Sequence, residues 1–287
     1  MNTLVIGGSG FIGEYLCRAL VQDGVIAAVR PGMDEKEKIA GVRYGEIDLD
    51  KNYLELKKIM NEVDKIVWAI QPDIWRMQNI LSVIKDFGNI KKIVYLSTLL
   101  VYPDSIRKQN EEAVPEPKTD YEKAKFGEEK VLEEFVKSKN CHLCIARLGN
   151  VYGDVKNKGV LNQLMLSLLN DTPFNLSGNG KNVRDYIFVE DAANLLAGLV
   201  KIDNASQIEK FNVCVGNGHS IYDLIGLLED IACKKIKILS IDKIDKSKSV
   251  LGDNQKVAEV LNWAPNYGLT EGLKKTYNNY SKYYKFN

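Results

Sequence analysis

The sequence predicts an α/β fold in which helices cover both faces of a doubly wound parallel sheet, together with a smaller α/β lobe. Three observations support this prediction. An apolar run at residues 4–6 leads directly into Gly7-x-x-Gly10-x-x-Gly13 and then into a helical pattern. Strand-like and helix-like patterns alternate through the first half of the chain, as crossovers between parallel strands require. The 287 residues are enough for a large core and an appended lobe.

The glycine motif is typical of a Rossmann-type turn that binds a dinucleotide. Gly7 allows the tight turn, Gly10 lets the backbone approach a pyrophosphate, and Gly13 lets the helix pack closely on the strand. The phosphates would lie on the N–H groups that begin the helix, which makes Phe11 and Ile12 further candidate cofactor contacts. The same spacing also occurs in ordinary glycine-rich turns, so its weight comes from the strand and helix on either side.

The end of the second predicted strand, Val25–Val29, should meet the adenosine ribose of such a cofactor. Arg30 follows this strand, where an acidic residue would hold a free 2′-hydroxyl. An arginine suits a 2′-phosphate instead, so Arg30 predicts NADP over NAD, although surface arginines at strand ends are also common. Asp48 and Leu49, after the third strand, and Ala69, in the fourth, are further candidate cofactor contacts.

The remaining elements of this half follow from short apolar runs and helical periodicity. The predicted strands cover residues 42–47, 65–70 and 90–99, and the predicted helices cover residues 54–63 and 78–87. Residues 103–118 contain three prolines among charged residues and are predicted as a loop. A strongly helical stretch then runs from Tyr121 to about Lys137.

Three side chains in this region are candidate catalytic groups. The i, i+4 spacing places Tyr121 and Lys125 on one helix face, and Thr98 lies at the end of the fifth predicted strand. Lys125 and a positively charged nicotinamide ring would lower the pKa of the Tyr121 hydroxyl toward neutral pH. Thr98 would share the substrate oxygen. Tyrosine and lysine four apart are also frequent on solvated helices, and the order of the three motifs is what favours catalysis.

Taken in this order, the motifs resemble those of extended short-chain dehydrogenases/reductases, in the nucleotide-sugar epimerase/dehydratase family. The likeness spans nearly the whole chain. Arg147-Leu-Gly-Asn150-Val-Tyr-Gly153 is similar to the family's Arg-x-x-Asn-x-Tyr-Gly segment. Residues 177–191 are similar to its Gly-x-Gly and Arg-Asp-Tyr run. The resemblance implies a nucleotide-sugar substrate and a homodimer.

The resemblance also implies roles for individual residues. Asn150 would meet the substrate, and Arg184, whose guanidinium offers a planar fork of donors, would bind the substrate diphosphate. Tyr186 is a further candidate substrate contact. Tyr121 and Lys125 would contact the cofactor as well as act in catalysis, with Lys125 on the nicotinamide ribose. Asn150 could equally cap a turn, and Arg184 could pair with Asp185 for structure.

The chain departs from the dehydratases of this family directly after Thr98. Where they carry an acidic pair, this chain has Leu99 and Leu100, which cannot transfer protons. Dehydration is therefore the least favoured reaction. We predict an NADP-dependent reductase of a 4-keto-6-deoxy nucleotide sugar, because Arg30 indicates NADP and Tyr102-Pro103 resembles the reductase branch. The alternative is a 4-epimerase with tightly held NAD. A non-catalytic NADP-binding regulator is the second alternative.

Composition and residue order complete the prediction. The net charge of +1 gives no reason to expect a nucleic-acid or membrane partner, and the absence of a long apolar run predicts a cytoplasmic protein. The Cys141-His-Leu-Cys144 spacing lacks a second pair, so no metal site is expected. Residues 1–155, with a return near 186–215, should form the dinucleotide-binding domain. Residues 156–184 and 216–287 should form the substrate-binding lobe, with the ligand between the two.

Overall fold

The structure is a computed structural model that describes residues 2–203, 205–241 and 247–285. The chain divides into two compact units. The first unit consists of Met1–Val101, Pro115–Leu148 and Ala193–Phe211. The second consists of Tyr102–Val114, Gly149–Ala192 and Asn212–Asn287.

Strands and helices alternate along much of the chain. The strands are β1 (Asn2–Ile6), β2 (Val25–Val29), β3 (Arg43–Glu46), β4 (Val63–Trp68), β5 (Lys92–Thr98), β6 (Lys108–Gln109), β7 (His142–Leu148), β8 (Asn150–Tyr152), β9 (Phe174–Ser177), β10 (Arg184–Phe188), β11 (Ile208–Val213), β12 (Gly218–His219), β13 (Ile238–Ile241) and β14 (Leu251–Gly252). The α-helices are α1 (Phe11–Leu20), α2 (Leu54–Met60), α3 (Ile74–Ile84), α4 (Asp120–Lys137), α5 (Val160–Asn170), α6 (Val189–Lys201), α7 (Ile221–Ala232), α8 (Gln255–Leu261) and α9 (Leu269–Lys285).

A seven-stranded sheet organises the first unit, in the order β11-β7-β5-β4-β1-β2-β3. The pairs from β3 through β7 are parallel. From β1 the chain first builds outward through β2 and β3, and then continues on the other side through β4, β5 and β7. This reversal makes the sheet doubly wound and places a topological switch point between β1 and β4. At such a point, ligands bind beyond the carboxyl ends of the strands.

The inner strands of this sheet, β1, β2, β4, β5 and β7, are largely buried on both faces, which explains their nearly continuous apolar sequences. One face carries Ile66, Ile93 and Leu143 in register and packs against apolar side chains of α2, α3 and α4. All three side chains are fully buried. Burying a side chain of this size contributes about 1.5–3 kcal/mol, so packing across the sheet fixes the strand ends that carry the candidate site.

Three helix boundaries differ from the sequence prediction by three or more residues, and one of them is the end of α3 at Ile84 instead of Phe87. Helix α3 begins at Ile74, four residues before the predicted start, because the Asp73 side chain accepts a hydrogen bond from the Arg76 backbone N–H and caps the helix. Helix α2 ends at Met60, and Val63 already pairs with Asn2 as the first residue of β4. A side-chain cap at the start of α3 and the pairing of two distant strands at the end of α2 override the apolar periodicity.

The second unit contains smaller sheets around a separate hydrophobic cluster. Strands β12, β10 and β8 form one sheet, while β13 pairs with β9 and β14 pairs with β6. Leu164, Phe174 and Leu224 belong to the cluster. The strand that returns to the central sheet is β11, since β10 pairs with β8 and β12 instead. Among the described residues, no helix is both long and apolar enough to cross a membrane.

Candidate active site

The turn after β1 is shaped by the absence of side chains. Gly7 has φ of 91°, in the left-handed region that favours glycine, and a Cβ on it would lie 2.7 Å from the Ala69 carbonyl oxygen. A Cβ on Gly13 would overlap the Gly7 carbonyl oxygen. Gly8 was missed by the sequence analysis, although a Cβ there would overlap Ala27 of β2. The turn therefore requires glycine at position 8 as well as at the positions of the Gly7-x-x-Gly10-x-x-Gly13 motif.

The same turn fits the phosphates of a dinucleotide. Helix α1 begins at Phe11, and Gly10, its N-terminal flanking residue, offers no side chain to cap it. The N–H groups of Phe11, Ile12 and Gly13 thus belong to the first turn of a helix whose N-terminus carries a partial positive charge. Ala69, whose backbone N–H donates to the Ile6 carbonyl oxygen at 2.9 Å, holds the end of β4 against the end of β1. These residues lie together at the switch point of the sheet.

The ribose end of the candidate cofactor site contains a carboxylate that the sequence analysis missed. Arg30 is exposed directly after β2, as predicted. Glu46 closes β3 in register with Val29, and its carboxylate accepts a hydrogen bond of 3.3 Å from the Gly32 N–H. No local pattern indicates this carboxylate, because Glu46 is 16 residues from Arg30 and reaches the same turn only through the β2–β3 pairing. An acid and an arginine therefore share this turn.

The two cofactor contacts predicted after the third strand, Asp48 and Leu49, lie in the turn that follows β3. The Asp48 carboxylate accepts a 3.1 Å hydrogen bond from the Asp50 N–H, and the Leu49 carbonyl oxygen accepts one of 2.7 Å from the Tyr53 hydroxyl. Leu49 packs partly buried against the core of the first unit. The local hydrogen bonds fix the shape of this turn.

Thr98 and Tyr121 are brought together in the first unit. Thr98 ends β5 and is 7% exposed, while Tyr121 lies in the first turn of α4 and is 42% exposed. The Thr98 side chain lies close enough to the Tyr121 hydroxyl to lower the pKa of the phenol. A capping box, in which Thr119 and Glu122 each accept a backbone N–H at the other's position, fixes the start of α4. The two candidate catalytic hydroxyl groups are thus held by a strand end and a capped helix.

Lys125 lies on the inner side of α4 and is 5% exposed. Its ammonium donates to the Leu96 carbonyl oxygen at 2.9 Å and to the Ile70 carbonyl oxygen at 3.5 Å. It also lies over the Tyr95 ring, 4.9 Å from the ring centroid. Burial lowers the pKa of Lys125 to about 8, although Glu128 and Glu129 act in the opposite direction. The lysine is therefore close to its titration range at physiological pH.

The expected decrease in the pKa of Tyr121 is not found in the protein alone. Burial and the negative charge of Glu128 raise the pKa of Tyr121, and only the Thr98 side chain lowers it. The Lys125 ammonium donates to the Leu96 and Ile70 carbonyl oxygens and is not among the groups that lower the pKa of Tyr121. Before ligands bind, Tyr121 is a protonated phenol.

Two buried carboxylates that follow Lys125 on α4 were also missed by the sequence analysis. Glu129 is fully buried, accepts two hydrogen bonds of 3.1 and 2.7 Å from Arg147, and accepts another from Ser97. Glu128 accepts from the Tyr95 hydroxyl at 2.5 Å, and burial raises its pKa. Their positions, three and four residues after Lys125, place them on the face of α4 that carries the lysine. That spacing was the available signal.

The candidate substrate residues of the second unit lie in one small sheet. Asn150 of β8 is in register with Tyr186 of β10, and their side chains are hydrogen-bonded. Burial raises the pKa of Tyr186, and the hydrogen bond to Asn150 acts against this increase. Arg184 begins β10 in register with His219 of β12. The structure thus brings Asn150, Tyr186 and Arg184 together, within the second unit.

Asp185 has a structural role distinct from that of its neighbour Arg184. It is 1% exposed, and its carboxylate accepts from the backbone N–H groups of Val215 and Gly216 at 2.9 and 2.7 Å. Burial raises the pKa of Asp185 to about 6, against the effect of these hydrogen bonds. Because successive residues of a strand point to opposite faces, Asp185 and Arg184 lie on different sides of β10. The hydrogen bonds of Asp185 tie β10 to the segment after β11.

Residues 3–214 match the model of the NAD dependent epimerase/dehydratase family. The chain belongs to this family. The match confirms the resemblance to extended short-chain dehydrogenases/reductases, and with it the expectation of an NAD(P)-dependent enzyme. It runs from Thr3 in β1 to the residue after β11, and so includes every candidate site residue.

Relatives of this epimerase/dehydratase chain extend over its full length. The UDP-glucuronate 4-epimerase of Thermodesulfobacterium geofontis is 25% identical over 311 residues, which cover 96% of this chain and 94% of that protein. The putative UDP-glucose 4-epimerase of Methanocaldococcus jannaschii is 24% identical and covers 96% of this chain and 97% of its own.

A solved structure confirms the fold of the family in this chain. A variant of the UDP-glucuronic acid 4-epimerase of Bacillus cereus, in complex with a fluorinated UDP-glucuronic acid and NAD, superposes with a TM-score of 0.89. It is 22% identical, and the match covers 99% of this chain and all of that chain. The predicted Rossmann-type doubly wound sheet is thereby confirmed.

Proposed function

We propose that the chain is a nucleotide-sugar 4-epimerase that acts on a UDP-linked hexose and keeps NAD bound throughout its cycle. The observation that carries this proposal is the full-length likeness to UDP-glucuronate and UDP-glucose 4-epimerases. It favours the epimerase over the reductase that the sequence analysis ranked first. The proposal retains the nucleotide-sugar substrate expected from the sequence.

The sequence feature that favoured a reductase has another explanation in the structure. Tyr102 is fully buried, and its hydroxyl donates a 2.9 Å hydrogen bond to the Asn212 side chain within the second unit. Its presence before Pro103 is therefore accounted for by packing. It does not distinguish a reductase from an epimerase.

The proposal of NAD instead of NADP is supported by Glu46. Its carboxylate lies at the Arg30–Gly32 turn, where it would accept a hydrogen bond from a ribose 2′-hydroxyl and repel a 2′-phosphate. The similar structures of the Bacillus cereus and Thermus thermophilus 4-epimerases contain NAD. Arg30 is exposed at the same turn and loses its weight as an indicator of NADP.

The catalytic roles follow from the groups at the end of β5 and the start of α4. The N–H groups of Phe11, Ile12 and Gly13 would hold the pyrophosphate of NAD, which when bound would supply reversible hydride transfer at C4 of the sugar and a positive charge near Tyr121. Tyr121 would take the proton of the 4-hydroxyl group and later give it back, and Thr98 would hold the same oxygen. The added positive charge would offset the burial that raises the pKa of Tyr121. Lys125 would donate to the nicotinamide ribose.

The substrate nucleotide would be held by the second unit. Arg184 is proposed to bind the diphosphate, and Asn150 and Tyr186 to contact the substrate. Dehydration stays disfavoured, because Leu99 and Leu100 offer no group for proton transfer at the end of β5. A homodimer and a cytoplasmic location stay predictions.

The test is a product assay with matched cofactor arms. The pure protein is incubated with UDP-glucose or UDP-glucuronate and NAD, and the sugar epimers are resolved by NMR. The proposal predicts interconversion at C4 without net change in NAD, and a lower Kd for NAD than for NADP. Oxidation of NADPH by a 4-keto-6-deoxy nucleotide sugar, with no epimer formed, would establish the reductase instead.

A further inference from the structure

A row of basic side chains crosses the central sheet at the amino ends of three neighbouring strands. Lys65 of β4 is in register with Lys92 of β5, which is in register with His142 of β7. Paired residues of a parallel sheet point to the same face. Like charges directly opposite each other destabilise a sheet. Repulsion between the Lys65 and Lys92 ammonium groups therefore destabilises the fold unless a negative charge offsets it.

The row lines a cavity of about 330 Å³. This volume is at the lower end of the range for small-molecule sites, about 300–1,000 Å³. Lys91, Asn140, Ile202 and Asp203 complete the lining, and all of these residues belong to the first unit. The cavity is therefore large enough for a compact polar ligand.

Positive charge exceeds negative charge around this cavity. Lys92 is 5% exposed and donates a 2.6 Å hydrogen bond to the Ile202 carbonyl oxygen just beyond α6. Burial lowers the pKa of Lys92, and Lys65 lowers it further. The nearby Asp203 and Glu209 carboxylates, with the Cys144 thiol, act in the opposite direction.

The two other lysines have ammonium groups available for a ligand. Within the described ranges, neither Lys65 nor Lys91 lies within ion-pair distance of an acidic side chain. Each ammonium carries three donors and no acceptor. The cavity thus combines one buried ammonium with two whose donors can turn toward an anion.

We propose that this cavity binds a small phosphate-bearing anion. Lysine ammonium groups bind phosphate as compact point charges, and an anion would relieve the repulsion between Lys65 and Lys92. The site is at the amino ends of β4, β5 and β7, whereas Thr98 lies at the carboxyl end of β5, and Lys125 of α4 contacts β5 near that end through the Leu96 carbonyl oxygen. The ligand would therefore bind together with a dinucleotide, without competing for its site.

Isothermal titration calorimetry tests the proposal in protein saturated with NAD. The titrants are pyrophosphate and AMP, with sodium sulfate at matched ionic strength. The proposal predicts a saturable binding component, separate from any at the Arg184 diphosphate site, that Lys65→Gln and Lys91→Gln each weaken by tenfold or more. Lys57→Gln, which removes an exposed charge from α2, is the matched control and should leave binding unchanged. The titrant that binds more tightly shows whether the source is free phosphate or a nucleotide.

Two results would overturn the proposal. One is that neither pyrophosphate nor AMP binds, or that sulfate produces the same response as both. The other is binding that Lys65→Gln and Lys91→Gln leave as strong as in the Lys57→Gln control, because the anion would then lie elsewhere. Both lysines are outside the core, so thermal unfolding should show that the variants fold. Because the comparison is between variants at fixed NAD, it does not depend on epimerase activity.

Discussion

At the scale of single residues, Lys125 shows how burial changes the chemistry of a charged group. Its ammonium is removed from water, but it donates hydrogen bonds to two backbone carbonyl oxygens and lies over an aromatic ring. These contacts do not offset the lost hydration, since burial still lowers its pKa to about 8. The stability of the protein should therefore depend on the protonation of this one side chain.

The sign of that dependence can be stated. The unfolded lysine titrates near pH 10.5 and the folded one near 8, so between these values the unfolded chain binds more protons and stability rises with pH. The unfolding free energy of the wild type minus that of Lys125→Met should increase between pH 7.5 and 10, as measured by urea denaturation. A difference that stays constant or falls over this range would contradict the assigned pKa.

Glu128 is predicted to tune Tyr121 through its charge. It is 1% exposed, and its carboxylate accepts hydrogen bonds from the Tyr95 hydroxyl and the Asp73 N–H, which fix its position. Because that charge raises the pKa of Tyr121, Glu128→Gln should move the acidic limb of the pH profile of kcat/KM to lower pH.

The matched control is Glu134→Gln, which removes an exposed carboxylate that pairs with Lys137 on the same helix. It should leave the pH profile unchanged. A shift of the Glu128→Gln profile toward higher pH, or the same small shift in both variants, would show that Glu128 only supports the fold.

At the scale of elements, helix α4 carries the catalytic residues because its first turn is fixed. The capping box of Thr119 and Glu122 lies next to Tyr121. Removing an N-cap hydroxyl typically costs about 1 kcal/mol. Thr119→Ala should therefore lower the unfolding free energy by about this amount and reduce kcat more than Thr119→Ser, which keeps the hydroxyl. Equal stability of the alanine and serine variants in denaturant titrations would contradict this role of the cap.

The elements also show what sequence patterns can predict. The glycine turn, β2 and the start of α4 are local, so their residues identify them directly. Glu46 reaches the Arg30 turn through strand pairing, and Glu128 reaches Asp73 across 55 residues. Contacts of this kind depend on the tertiary structure. That is why the sequence analysis found the residues of the glycine turn but missed the acids of the cofactor and catalytic regions.

At the scale of the whole molecule, the order of motifs identified the family, while the choice of reaction within it depended on weaker signals. The full-length relatives and the Glu46 carboxylate moved that choice from an NADP-dependent reductase to a 4-epimerase with NAD. Arg30 and Tyr102 had been given functional weight, but one is an exposed residue beside an acid and the other is a packed one. Only the folded chain separates these cases.

The central claim is that hydride leaves the sugar and returns to it within one enzyme, while Tyr121 moves the proton. UDP-glucose and UDP-glucuronate that carry deuterium at C4 of the sugar test this claim most directly, with the products analysed by mass spectrometry and NMR. The account predicts C4 epimers that keep the deuterium, no net reduction of NAD, and a loss of about a hundredfold or more in rate for Tyr121→Phe. Epimers that have exchanged the deuterium with water, or a Tyr121→Phe variant with full activity, would contradict it.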